Sequence, residues 1–288
     1  MKSDKKLLLI RIIMFIVIAY LPVYIIYFGF IDDATEVSMF LSIITMMIPA
    51  LASIAVRLIT REGFKKSYLR GNFKRGAGCY ALSLVYPIVV GIISSVIYIN
   101  KYTEDYKLGD HVNGDNIVPL ITSILFSIIS AFLFAYASLG EELGWRGYLT
   151  PKLEELFGTP AALLISGVIW GMWNVPMIVT GLKFGKEYGS YPYGGIIVTC
   201  ISCIFFGSFL TYLTKRSGSV YPAALCRSFT SSLVGAINII LFPTLAQESA
   251  QDPFKSVCIG EIPAIAIGVV FFIVLLTLSI RKRRDSRS

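Results

Sequence analysis

The sequence predicts an all-α polytopic membrane protein: a single membrane domain over 1–288, with about eight transmembrane helices and both termini cytoplasmic. Three observations predict it. Hydrophobic residues make up 55% of the chain and charged residues only 15%, with a mean hydropathy of +0.71. That excludes a disordered chain and an ordinary cytosolic enzyme. The apolar residues fall into runs of about 20, the length that crosses a bilayer. The net charge of +8 sits between those runs rather than on one face, so membrane topology accounts for it and a nucleic-acid partner does not. Five cysteines are too few for a disulfide scaffold.

Eight apolar runs follow in order, at about 7–29, 37–57, 78–99, 118–140, 160–179, 194–213, 219–241 and 260–280. The first is too long for a signal-peptide core and lacks a small-residue cleavage site. Its Arg11 lies near one end, where it can snorkel. The loops alternate in sign. Lys5 and Lys6, the segment 61–76 (REGFKKSYLRGNFKRG), Lys215 and Arg216, and Arg281–Arg284 are basic. Asp32 to Glu36, Glu104 to Asp115, Glu187, and Glu248 with Asp252 are acidic. The positive-inside rule turns the basic set to the cytoplasm. Segment 61–76 mixes aromatics with cations, as an interfacial stretch does; a plain solvated loop is the competing reading. His111, the sole histidine, lies in an outer loop and reads as incidental.

Ionisable groups inside a span cost roughly 2.5–3.5 kcal/mol each on insertion scales, so each needs a reason. Three places collect polar groups. The fourth run ends in GEELGWRGYL, the fifth contains WGMWNVP, and the seventh contains SVYPAALCRSFTSS. Glu142 and Arg146 are four apart and pair along one helix face. Glu141 points about 100° away, towards a neighbouring helix. Gly140, Gly144 and Gly147 permit close helix approach. Arg227 and Ser231 share a face of the seventh helix. Along the axis, Glu141 and Arg227 each lie about 12 Å from the cytoplasmic end, whereas Asn174 lies about 21 Å in. An ion-paired core (Glu142 with Arg146, Glu141 with Arg227, Asn174 bonded between helices) and a functional cavity are both compatible with this spacing.

These three segments resemble the signatures of the CPBP family, the CAAX proteases and bacteriocin-processing enzymes, also called the Abi family, which are intramembrane proteases of the glutamic type. The resemblance covers roughly 120–240. It implies an eight-helix bundle with a cavity open to the cytoplasm, in which Glu141 is the general base on a water and Glu142 pairs with Arg146. The family's second motif, aromatic-x-x-x-His, supplies a histidine. The third, His-x-x-x-Asn or Asp, supplies another and an oxyanion contact. This sequence departs at every histidine: the second motif reads Trp170-x-x-x-Asn174 and the third Arg227-x-x-x-Ser231.

Asn174 can still donate a hydrogen bond, and Ser231 can act through a water. Arginine, in contrast, is not deprotonated in proteins and shuttles no proton. Paired to Glu141, Arg227 competes with the proton that a general base must accept. The expectation is therefore a pseudoprotease that binds a peptide or membrane-protein partner in its cavity, in contact with membrane lipid. Its service would be in regulation, bacteriocin self-immunity or surface-protein handling. The alternative is an active endopeptidase based on Glu141. The family's distribution and the composition point to a bacterial plasma membrane.

No cofactor and no metal is expected, because Glu141 and Glu142 lack a histidine partner and Arg146 and Arg227 repel a cation. Cys200 and Cys203 read as small hydrophobes. Trp170 and Trp173 could line a peptide or lipid groove, with plain packing as the other reading. Tyr188, Tyr191 and Tyr193 suit an outer aromatic belt. Glu154 and Glu155 suit a solvated face.

Overall fold

The computed structural model describes residues 2–31, 39–102, 117–241 and 253–285. His111, the acidic loops 32–36 and 104–115, Glu248 and Asp252 lie outside the described residues. Every regular element among the described residues is helical. In chain order they are α1 (Lys2–Phe30), α2 (Met39–Ile59), α3 (Phe73–Tyr102), α4 (Ile117–Gly144), a π-helical turn (Trp145–Leu149), α5 (Thr150–Phe157), α6 (Thr159–Trp173), α7 (Val175–Val179), α8 (Tyr193–Ser217), α9 (Tyr221–Leu241) and α10 (Pro253–Asp285).

Among the described residues six helical stretches are long and apolar enough to cross a membrane: 4–30, 40–59, 73–97, 121–157, 193–217 and 260–282. The chain is a multi-pass membrane protein. Two expected spans differ from these six. The fifth run is broken: α6 ends at Trp173, Asn174 forms a turn, and Pro176 opens the five-residue α7. A proline lacks the amide that would continue the α6 ladder. The seventh run forms the 21-residue α9, which carries Arg227 and three serines and packs within the bundle. There Ser83 Oγ on α3 donates to Pro222 O at 2.7 Å, and Ser228 Oγ donates to Ala131 O on α4 at 2.6 Å.

Contacts fix the helix directions. Arg11, early in α1, donates to Thr60 just past α2, so these helices are antiparallel. Gly140 and Gly144 lie against Met46–Met47 and Pro49, so α2 and α4 run the same way. Gly167 and Gly171 meet Ile204 and Cys200, which sets α6 antiparallel to α8. Gly268 lies against Phe205, and three residues on Phe271 packs against Phe209 and Tyr212, which sets α8 parallel to α10. The start of α1, segment 60–72, α5, the end of α8 and the start of α9 therefore share one end of the bundle, and α10 runs towards it. That end carries the basic loops, and the positive-inside rule turns it to the cytoplasm.

Segment 60–72 is a non-helical strap across that end. Tyr68 O accepts from Val220 N at 3.0 Å, and Asn72 Nδ2 donates to Ser217 O and Gly218 O at 3.2 and 2.9 Å. Its side chains Phe64, Lys65 and Lys66 are exposed. On α5, Glu155 is on a solvated face, with its partner Lys66 at 3.3 Å also exposed, whereas Glu154 is half-buried and pairs with Lys215 at 2.6 Å. At the opposite end Tyr191 Oη donates to Val179 O at 2.7 Å and packs edge-on to Tyr188, while Tyr193 is exposed.

Candidate functional site

The motif residues arise from a helix that changes pitch. From Gly144 the α4 ladder widens, and Thr150 N–H donates to Trp145 O, five residues back. Such π-turns are rare and shift the side chains that follow them. Two neighbours accommodate this turn. A Cβ on Gly144 would lie 2.4 Å from Pro49 Cβ, so only glycine lets α2 come this close. Arg57, buried at the end of α2, donates from Nη2 to Gly147 O at 3.0 Å and from Nη1 to Gly63 O at 2.9 Å. It thereby satisfies a carbonyl inside the irregular turn.

The turn brings Glu141, Glu142, Arg146 and Arg227 together. Arg146 Nη1 meets Glu142 Oε1 at 3.0 Å, the intrahelical pair predicted from spacing. Arg227 Nη2 meets Glu141 Oε1 at 2.7 Å, and its Nη1 lies 4.0 Å from Glu142 Oε1. Trp170 touches three of the four groups. Its indole Nε1 donates to Glu141 Oε2 at 3.1 Å, and its ring carries the Arg146 guanidinium at 4.0 Å and that of Arg227 at 4.7 Å. The aromatic face attracts both cations while the indole edge binds the anion. A Cβ on Gly207 of α8 would lie 2.8 Å from Arg146 Nη2, so glycine makes room for that side chain. Glu142 Oε2 is buried without a hydrogen-bond partner among the described residues.

Trp145 is a member that the sequence reading missed. Its Nε1 donates to the same Glu141 Oε2 at 3.4 Å. The signal was available, since Trp145 stands four residues after Glu141, the same spacing that pairs Glu142 with Arg146. Trp170 and Trp173 do not line an open groove. They are 4% and 1% exposed; Trp173 donates to Ala19 O of α1 at 3.1 Å and packs edge-on against Trp145. The indoles fill the space between α1, the π-turn and α6.

The other two motif positions stand apart from the carboxylates. Asn174 does not bridge helices. Its Nδ2 donates to Trp170 O at 2.8 Å, four residues back on its own chain, because α6 ends there and leaves carbonyls to satisfy. The greater depth calculated for Asn174 thus places it beyond the charged group rather than beside it. Ser231 Oγ donates to Arg227 O at 3.1 Å and is exposed. No group of three or more metal-ligating side chains occurs among the described residues.

Chemically the arrangement is electroneutral, with two carboxylates and two guanidinium groups. The Glu141 carboxylate is 1% exposed and accepts from Arg227, Trp170 and Trp145. A carboxylate has about four lone-pair positions, so three are occupied by protein donors.

Residues 121–233 match the family model described as Type II CAAX prenyl endopeptidase Rce1-like. The chain is also 25% identical over 100 residues to "CAAX prenyl protease 2" of Methanococcus maripaludis; the match covers 35% of this chain and 33% of that relative. The chain therefore spans about a third of the length of the curated relative it matches. Both matches agree with the motif resemblance. Over residues 121–233 the chain is similar to the CAAX protease family.

Proposed function

We propose that this chain is a pseudoprotease of the CAAX protease family that binds a peptide or membrane-protein partner. The observation that carries this reading is the state of Glu141. A general base must hold a water and accept its proton, whereas this carboxylate is buried, ion-paired to Arg227 and bonded to two indoles. Neither motif histidine is available to move a proton, and Asn174 and Ser231 donate to backbone carbonyls of their own helices. Regulation, bacteriocin self-immunity or surface-protein handling in a bacterial plasma membrane would suit such a binder.

One observation favours a second reading. The first motif is complete, and Arg227, at 16% side-chain exposure, is the most accessible of the four charges. A guanidinium released from Glu141 could stabilise an oxyanion while Glu141 holds the water. The experiment compares the membrane and secreted peptidomes of cells expressing wild type, Glu141→Gln at matched protein level, or no protein. Identical peptidomes with a phenotype that Glu141→Gln still supports are expected. Peptides produced by wild type alone would overturn the binding reading.

A further inference from the structure

Glu141, Glu142, Arg146 and Trp170 are each at most 4% exposed, so a partner reaches the carboxylates only if some element moves. The strap 60–72 lies over the two elements that carry the Glu141–Arg227 pair. A Cβ on Gly147, six residues after Glu141, would stand 2.9 Å from Ser67 O, so only glycine lets the strap rest on the π-turn. One residue on, Tyr68 O accepts from Val220 N, seven residues before Arg227. Ser67 and Tyr68 thus bridge the π-turn and the start of α9 on the cytoplasmic side of the pair.

Two features suit the strap to opening. Among the described residues, the non-glycine residues at positive φ are Arg61, Tyr68 and Asn72, at 50°, 58° and 45°, and all three lie in the strap. Asparagine tolerates the left-handed region, whereas arginine and tyrosine enter it at a cost that release would recover. The strap is also fastened at separate points rather than packed into a core. Glu62 pairs with Lys152, Lys66 pairs with Glu155, and Gly63 O accepts from Arg57. Asn72 Nδ2 donates to Ser217 O and Gly218 O. Ser67 is the one buried residue in the segment.

We propose that the strap is a cytoplasmic gate over the Glu141–Arg227 pair, and that an extended peptide segment enters between the π-turn and α9 when it lifts. Lifting frees Val220 N–H, Ser217 O and Gly218 O, backbone groups that an extended peptide can bond in the strap's place. The identity of what passes rests on the binding reading, whereas the gate itself is tested without a partner.

The chain's three tryptophans, Trp145, Trp170 and Trp173, all stand in the site, so intrinsic fluorescence reads its exposure. The test measures acrylamide quenching of the purified full chain in detergent, well below its thermal midpoint. Asn72→Ala deletes two hydrogen bonds of the strap and puts a less tolerant residue at φ 45°. Losing two hydrogen bonds shifts an open-to-closed ratio about tenfold or more, so quenching should rise above wild type. Lys66→Cys/Glu155→Cys, in a chain freed of its own five cysteines, takes a thiol-cleavable cross-linker between two exposed side chains and ties the strap to α5. Quenching should be lower in the cross-linked form than after cleavage. Both forms are the same folded protein, so this comparison decides alone if Asn72→Ala does not fold. A strap that is only structural would lower the thermal midpoint of Asn72→Ala and leave quenching unchanged. Equal quenching in wild type, Asn72→Ala and both cross-link states would overturn the gate. The expected pattern in a protein that proves to cut peptides would support the gate and overturn only the binding reading.

Discussion

Trp170 joins Glu141, Arg146 and Arg227 through one side chain, and substitutions within the group separate the contributions. Trp170→Phe keeps a ring under Arg146 and Arg227 but removes the donor to Glu141 Oε2. Leaving a buried acceptor short of a partner costs about 1–3 kcal/mol, so a corresponding loss in the chemical-denaturation midpoint is expected. Arg146→Met should cost more. Glu142 and Arg146 are both buried, and breaking a buried ion pair by removing one partner costs about 3–5 kcal/mol. The double change Glu142→Gln/Arg146→Met should recover much of that loss, because no lone charge then remains. A double-mutant cycle on detergent-solubilised protein reads both, and a strictly additive double variant would contradict the pairing.

The π-turn is the element on which the site depends, and α2 is built around it. Gly144 abuts Pro49, with no room for a methyl group. Gly144→Ala therefore forces α2 and α4 apart, and overpacking of this kind costs about 1–3 kcal/mol. The expected readout is a lower thermal midpoint with the fold retained. Gly78, beside which a Cβ meets nothing within 4 Å, is the control: Gly78→Ala should leave the midpoint unchanged or raised. Equal effects at the two glycines would mean that close approach does not hold the turn. Helix breaks were only partly legible in the sequence. Pro176 signalled the end of α6, but the widening at Trp145 has no proline or glycine rule behind it. It depends on Arg57 and Pro49, which stand about 90 residues earlier in the chain.

At the scale of the molecule, the helix directions put Lys66 and Lys186 at opposite ends. Lys66 reaches Glu155 at the basic end, whereas Lys186 follows α7 in the opposite loop. Single cysteines at these positions, in a chain freed of its own five, should react with a membrane-impermeant maleimide from opposite sides, Lys66→Cys from the cytoplasm. Labelling of both from the same side would refute the arrangement. The proposed loss of catalysis is tested at the same scale, because the three motifs come from different helices. On the pseudoprotease reading, introducing the motif pattern with Asn174→His, Arg227→His and Ser231→Asn is expected to confer peptide hydrolysis that the wild type lacks. General acid–base assistance is worth about 10²–10⁴ in rate, well within the range of a reconstituted peptidase assay. Folded triple variant without hydrolysis would mean that the histidines are not the missing component.

The sequence by itself determined the membrane class, the sign of each end and the Glu142–Arg146 pair, because hydropathy, loop charge and helical spacing are local properties of a chain. It also contained the family's first motif in Glu141, Glu142 and Arg146. Only the tertiary structure decided where Glu141 points, since its partners Arg227 and Trp170 lie 86 and 29 residues away. Tertiary contact likewise gathered Arg11, Arg57 and Lys152 on Glu62 and buried Trp173 against α1. Spacing along one helix fixes which residues share a face. Which face meets which neighbour is set by the packing of glycine-lined helices, and that is a property of the assembled bundle.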